Sequence, residues 1–162
     1  MIKSQIKKAL VFIRCIKGRV QGAKVSLCQG TYIASGVFFS RSREIKIGQN
    51  SYIGRNVSLS CHVDIGDYVL VASNVAFVGG DHKIDDIESY IIHSGRDQIK
   101  HIVVEDDVWI GHGAIIMHGV HLAKGCVVGA GSVVTKDVGQ SEIVAGNPAK
   151  FIRYRRSLKS EK

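Results

Sequence analysis

The chain has 162 residues, enough for one domain with a real core; it is 45% apolar, with 18 glycines and one proline, which excludes a Pro-rich linker or a disordered tract. Its 22 Lys and Arg against 14 Asp and Glu leave a net charge of +8, so an anionic partner is expected. No apolar run approaches the ~20 residues that span a bilayer, and Cys15, Cys28, Cys61 and Cys126 form no C-x-x-C pair. Without a signal peptide, they are expected to be reduced cytoplasmic thiols rather than a disulfide or zinc framework.

Residues 1–24 carry Ile2, Ile6, Leu10, Ile13 and Ile16 at helical spacing, with Lys3, Lys7, Lys8, Arg14 and Lys17 between them. This predicts an amphipathic helix that either caps the domain or rests on an anionic membrane surface at its inner face. From Leu27 onward the period changes to six. Leu27, Ile33 and Phe39 open it, and a two-residue offset through positions 41–44 follows. Ile47, Ile53, Leu59, Ile65, Val71 and Phe77 then run without a miss, as do Val104, Ile110, Ile116, Leu122, Val128 and Val134. Four residues after most of these aliphatics stands a small or β-branched residue such as Val57, Val75, Ala114 or Ser132, and Gly or Ala often follows directly, as at Gly48, Gly54, Gly66 and Gly111.

A period of six suits neither a helix nor a flat strand. It fits one short strand plus one corner, three of which close a triangle, so that successive triangles stack as parallel strands and each large aliphatic points inward onto its equivalent one coil away. The expected fold is therefore an all-β solenoid of hexapeptide repeats over residues 25–155. The spacing fails between Phe77 and Val104. The polar segment 83–102 should then loop out of a corner, and a long loop in a compact domain marks a site. After positions 145–150 (AGNPAK) the basic residues 151–162, including the tail 156–162, are expected to form a short helix or tail.

Residues 65–86 (IGDYVLVASNVAFVGGDHKIDD), 104–138 (VEDDVWIGHGAIIMHGVHLAKGCVVGAGSVVTKDV) and 143–153 (IVAGNPAKFIR) resemble the acetyltransferase branch of the hexapeptide-repeat family. Within it they are most similar to O-acetyltransferases of bacterial surface polysaccharides. The resemblance implies a left-handed β-helix, an exception to the usual right-handed crossover, and a homotrimer with sites between adjacent prisms. It implies acetyl-CoA as the acyl donor, no metal, and a glycan or sugar-nucleotide acceptor.

His82 matches the family's catalytic histidine. An imidazole ordinarily titrates near neutrality, so it can take a hydroxyl proton as the oxygen attacks the thioester and return it to the departing thiolate. Asp81 is a candidate to orient it, with Asp85, Glu88 or a backbone carbonyl as alternatives. By the same resemblance Gly111, Ala130, Gly131 and Ser132 line the pantetheine groove, although corner geometry alone explains such small residues. Trp109 lies near the site or packs between chains. Thr135, Lys136, Lys150 and Arg153 are candidates for the nucleotide phosphates, against the simpler account of a solvated basic tail. Two rival functions are acetylation of a small molecule (a drug, an amino sugar or serine) and a metal-dependent hexapeptide protein using His112, His118 and His121, whose spacing does not match that family's. No base-stacking pattern supports nucleic acid.

Overall fold

The structure, a computed structural model, describes residues 23–156. The N-terminal helix expected over 1–24, with its membrane contact, lies outside the described residues except at its last two positions, where a strand already begins. The first coil is β1 (Lys24–Leu27), β2 (Tyr32–Ile33) and β3 (Phe38–Phe39). The second is β4 (Glu44–Ile47), β5 (Tyr52–Ile53) and β6 (Ser58–Leu59). The third is β7 (Val63–Ile65), β8 (Leu70–Val71) and β9 (Ala76–Val78). The fourth is β10 (Ile102–Val104), β11 (Trp109–Ile110) and β12 (Ile115–Met117), and the fifth is β13 (His121–Leu122), β14 (Val127–Val128) and β15 (Val133–Val134). β16 (Glu142–Ala145) begins the last turn, and β17 (Lys150–Tyr154) folds back antiparallel on it.

Every strand before β17 pairs in parallel with its counterpart one coil away, giving three sheets. Sheet I is β1-β4-β7-β10-β13, sheet II is β2-β5-β8-β11-β14-β16-β17, and sheet III is β3-β6-β9-β12-β15. The period of six explains the register. Ile33, Ile53, Val71, Ile110 and Val128 align as one inward column, Phe39, Leu59, Phe77, Ile116 and Val134 as another, and nearly all are completely buried. Each such side chain gains about 1.5–3 kcal/mol from leaving water, and the gain depends on the coil above and below.

The offset in the first coil is real. Leu27 pairs with Ile47, 20 residues on, whereas Ile47 pairs with Ile65 at a spacing of 18, so the corner before β4 holds two extra residues. The larger break is also where the period failed. Ile65 pairs with Val104, 39 residues on, so 21 residues more than a regular coil leave the prism between β9 and β10. Ile102, expected in the loop, is a buried member of β10.

One expectation needs correction. Residues 150–154 form a strand, not a helix or tail, because the free edge of β16 offers backbone donors and acceptors that β17 satisfies. Asn and Gly take left-handed corners, but not the glycines that directly follow the aliphatics. Positive φ falls two residues later, at Asn50, Asn56, Asn74, Gly113 and Gly131, whereas Gly54 is needed for close approach, since a Cβ there would lie 2.5 Å from the Ala72 carbonyl carbon.

Candidate active site

Where sheet III of the third coil ends, two glycines let the chain turn out of the prism. Gly79 lies under His118, whose Cβ would be 2.5 Å from a Cβ added at that glycine. Gly80, at φ +78°, lies under Ile99, whose Cδ1 would be 2.8 Å from one added there. The chain then forms the base of a hairpin. The Lys83 N–H donates to the Gly95 carbonyl at 3.2 Å and the Asp97 N–H to the Asp81 carbonyl at 2.9 Å, so His82 faces Arg96 across an antiparallel bridge. Arg96 Nη1 donates to the Gly80 carbonyl at 2.7 Å. Farther out, Ser94 Oγ lies 2.6 Å from the Lys83 carbonyl, and a single 3-10 turn, Ile91–His93, returns the chain. The tip exposes Ile84, Ile87, Tyr90, Ile91 and Ile92. Asp86 is held below the ordinary carboxylate range, chiefly by the Ser89 hydroxyl and then by the Glu88 N–H.

His82 is half-buried, and its Nδ1 is shielded from solvent with no hydrogen-bond partner among the described residues. Alternation along an extended segment turns Asp81 to the opposite face. Its side chain is exposed and does not reach Nδ1, so this chain does not bring Asp81 and the imidazole together.

Five of the other histidines have hydrogen-bonding or ionic partners. His62 accepts from the Glu44 N–H at 3.1 Å and His118 Nδ1 from the Lys100 N–H at 3.1 Å. His112 Nε2 meets Asn74 Nδ2 at 3.2 Å, and His101 Nε2 lies 3.4 Å from Asp64. His121 Nε2 lies 2.8 Å from Glu105, whose carboxyl is held low first by the Lys124 N–H and then by His121. The three histidines of the metal reading thus serve three separate corners. Among the described residues, no group of three or more His, Cys, Asp or Glu side chains is placed to hold a metal.

The residues matched to the cofactor groove spread over two edges and two strands. Trp109 stands half-exposed on the outer face of sheet II. Gly111, Ala130 and Gly131 share the edge between sheets II and III. The Gly111 N–H donates to the Val128 carbonyl at 2.8 Å, and a Cβ at Gly111 would lie 2.6 Å from the Ala130 nitrogen. Gly131, at φ +67°, faces open space. Ser132 is fully buried and its Oγ accepts from the Gly146 N–H at 3.1 Å, so its side chain belongs to the interior. Thr135 and Lys136 are exposed on the edge between sheets III and I, the edge from which the His82 hairpin springs. Lys150 and Arg153 are exposed on β17, and Arg153 Nη1 donates to the Tyr154 carbonyl at 3.0 Å. Trp109 and His82 therefore occupy different sides of one prism.

Sequence reasoning missed Arg96 as part of the site and His118 as the neighbour of Gly79; the repeat could not place Arg96, because the hairpin lies outside it.

Two family models match the chain: bacterial transferase hexapeptide (six repeats) over residues 101–136, and hexapeptide repeat of succinyl-transferase over residues 44–76. The galactoside O-acetyltransferase of Escherichia coli is 33% identical over 127 residues, 77% of this chain and 61% of that protein. The chain thus spans somewhat less than two thirds of that relative. The crystal structure of the polySia-specific acetyltransferase NeuO superposes with a TM-score of 0.70 at 32% identity, covering 87% of this chain and 68% of the other. A hexapeptide-repeat-containing acetyltransferase from Vibrio cholerae gives a TM-score of 0.71 at 30% identity over 89% of this chain and 80% of the other, and the same protein has been crystallised with acetyl coenzyme A. With the triangular coils, the hairpin on the third coil and relatives that match through most of its length, this chain belongs to the hexapeptide-repeat acetyltransferases.

Proposed function

We propose that the protein transfers an acetyl group from acetyl-CoA to a sugar hydroxyl of a bacterial surface polysaccharide or its precursor, with His82 as general base. The observation that carries this reading is a histidine at the base of the one long excursion from the prism among the described residues, half-buried, with its Nδ1 desolvated and unpartnered. In the reaction His82 Nε2 removes the acceptor hydroxyl proton as its oxygen attacks the thioester carbonyl. The tetrahedral intermediate then collapses, and the imidazolium protonates the leaving thiolate. The buried thiols offer no competing nucleophile, since burial pushes Cys61 and Cys126 up to about 12.

Acetyl-CoA would lie along the edge formed by Gly111, Ala130 and Gly131, where small residues admit the pantetheine arm, and Lys136, Lys150 and Arg153 are the cations for its phosphates. Those groups and His82 meet most simply between copies. The outer face of sheet I is mostly ionic, with Lys24–Glu44 at 3.2 Å and Lys46–Asp64 at 3.4 Å. Sheet II instead presents Tyr52, Leu70 and Trp109, and sheet III presents Phe38. Apolar faces of that kind are what a homotrimer covers. A glycan acceptor is supported by two relatives, one named for galactosides and one for polySia.

The test is release of free thiol from acetyl-CoA with a panel of acceptors that includes galactosides, polysialic acid and an amino sugar. A hydroxyl-bearing glycan should support turnover, and His82→Ala should lower kcat by about 10²–10⁴-fold. Full turnover in that variant would remove His82 from the mechanism, and turnover with the amino sugar alone would move the protein to N-acetylation.

A further inference from the structure

We propose that Arg96 is the positioning residue of this site: its guanidinium holds the hairpin base shut on the Gly80 carbonyl and thereby aims the His82 ring. The proposal rests on the reading of His82 as general base. The two backbone bonds that flank the bridge are made by the neighbours, Lys83 with Gly95 and Asp97 with Asp81, and not by His82 and Arg96 themselves. That is the non-hydrogen-bonded kind of antiparallel pair, in which the opposed residues approach most closely and their side chains leave on the same face. Arg96 is thus placed beside His82 by the ladder alone.

Arg96 uses that position on a carbonyl and not on a carboxylate. The segment carries Asp81, Asp85, Asp86, Glu88 and Asp97, yet among the described residues Arg96 makes no ion pair within 4.0 Å. Its Nη1 instead donates a 2.7 Å charge-assisted bond to Gly80, a buried residue in the left-handed region. Gly80 is the pivot of the excursion. It has no side chain to lock it, and the peptide that follows it leads through Asp81 to His82. The imidazole has no partner at Nδ1 to fix its own orientation. Its aim is therefore inherited from the backbone, and among the described residues the bond from Arg96 is the one side-chain hydrogen bond made to this backbone at the pivot, where the Ile99 side chain packs without bonding. A displacement of about 1 Å in such a base lowers a rate by about 10²-fold.

The experiment compares Arg96→Ala, Arg96→Lys and His82→Ala in the full chain. The ring resonances of His82 are followed in protein labelled at histidine and assigned by their loss in His82→Ala. Wild type should show one sharp ring signal. Arg96→Ala should broaden or split it, while the melting temperature and KM for acetyl-CoA stay near wild type and kcat falls about 10–100-fold. Arg96→Lys, which can still donate to the carbonyl, should restore the signal and most of kcat. An unchanged His82 signal in Arg96→Ala overturns the proposal, as does a Lys variant no better than Ala. If His82→Ala keeps full thiol release, the general-base reading fails, whereas the ring spectra still report separately on whether Arg96 aims the histidine.

Discussion

A cysteine inside the prism is a different chemical object from one outside it. Cys61 and Cys126 are completely buried, and loss of hydration pushes both thiols from 9.0 up to about 12, while Cys28 is exposed. A thiolate-directed maleimide at pH 8 should therefore label Cys28 and leave Cys61 and Cys126 unmodified until the chain is unfolded, as read by peptide mass mapping. Labelling of either in the native protein would contradict the packing. The same shift has a sign in stability. Between about pH 9 and 12 the unfolded chain has lost these protons while the folded chain keeps them, so their contribution is fully present below pH 9 and declines as pH rises through that window. The double variant Cys61→Ala, Cys126→Ala should flatten the fall of the melting temperature from pH 9 to 11. At this scale the sequence was only partly legible. His82 stood out because a motif surrounds it and the period stops there. Asp81 was one of several candidates to orient it, beside Asp85, Glu88 or a backbone carbonyl, and none of these bonds its Nδ1; adjacency in an extended segment places side chains on opposite faces. The residue that meets His82 is Arg96, which no period or motif could bring across the hairpin.

Elements of two or three residues have almost no stability of their own, so each strand exists because of the coils on either side. Phe77 shows what that requires. It is completely buried on sheet III, aligned with Leu59 below and Ile116 above, on the last regular strand before the hairpin leaves. Phe77→Ala should cost about 3–5 kcal/mol in urea unfolding. Phe77→Leu should cost distinctly less, because leucine already fills the equivalent place one coil earlier. Equal losses in the two variants would mean that the column is not the unit of stability. Most of this level could be read directly from the residues. The inward columns, the two-residue offset in the first coil and the excursion after Phe77 all follow from counting by six. β17 could not be found in that way. Its sequence KFIRY is basic and outside the period, and its strand form is imposed by the unpaired edge of β16, a partner that local pattern does not reveal. The corners themselves were legible, as Gly and Asn that accept unusual backbone angles, while the close approach of one coil to the next was not. Gly54 avoids a collision with the neighbouring coil, while asparagines such as Asn74 take the left-handed angle.

For the molecule as a whole, the residues proposed for the site do not come together on one prism. His82 lies at the edge between sheets III and I, Trp109 on the outer face of sheet II, and Gly111 and Gly131 on the edge between sheets II and III. A threefold arrangement would bring unlike sides together at each interface, since a cyclic contact joins two different patches. If each site takes His82 from one chain and Trp109 from the next, two defective proteins can complement each other. His82→Ala and Trp109→Ala homomers should both be impaired. After the two are unfolded together in equal amounts and refolded, random assembly places an intact His82 opposite an intact Trp109 at about one interface in four, so about a quarter of wild-type thiol release should return. A site contained in one chain has no such route, because every chain in the mixture is defective at one of the two positions. Activity no higher than the mean of the two parents would therefore place both residues in the same protomer's site. It would also leave the apolar face of sheet II to some function other than closing the groove.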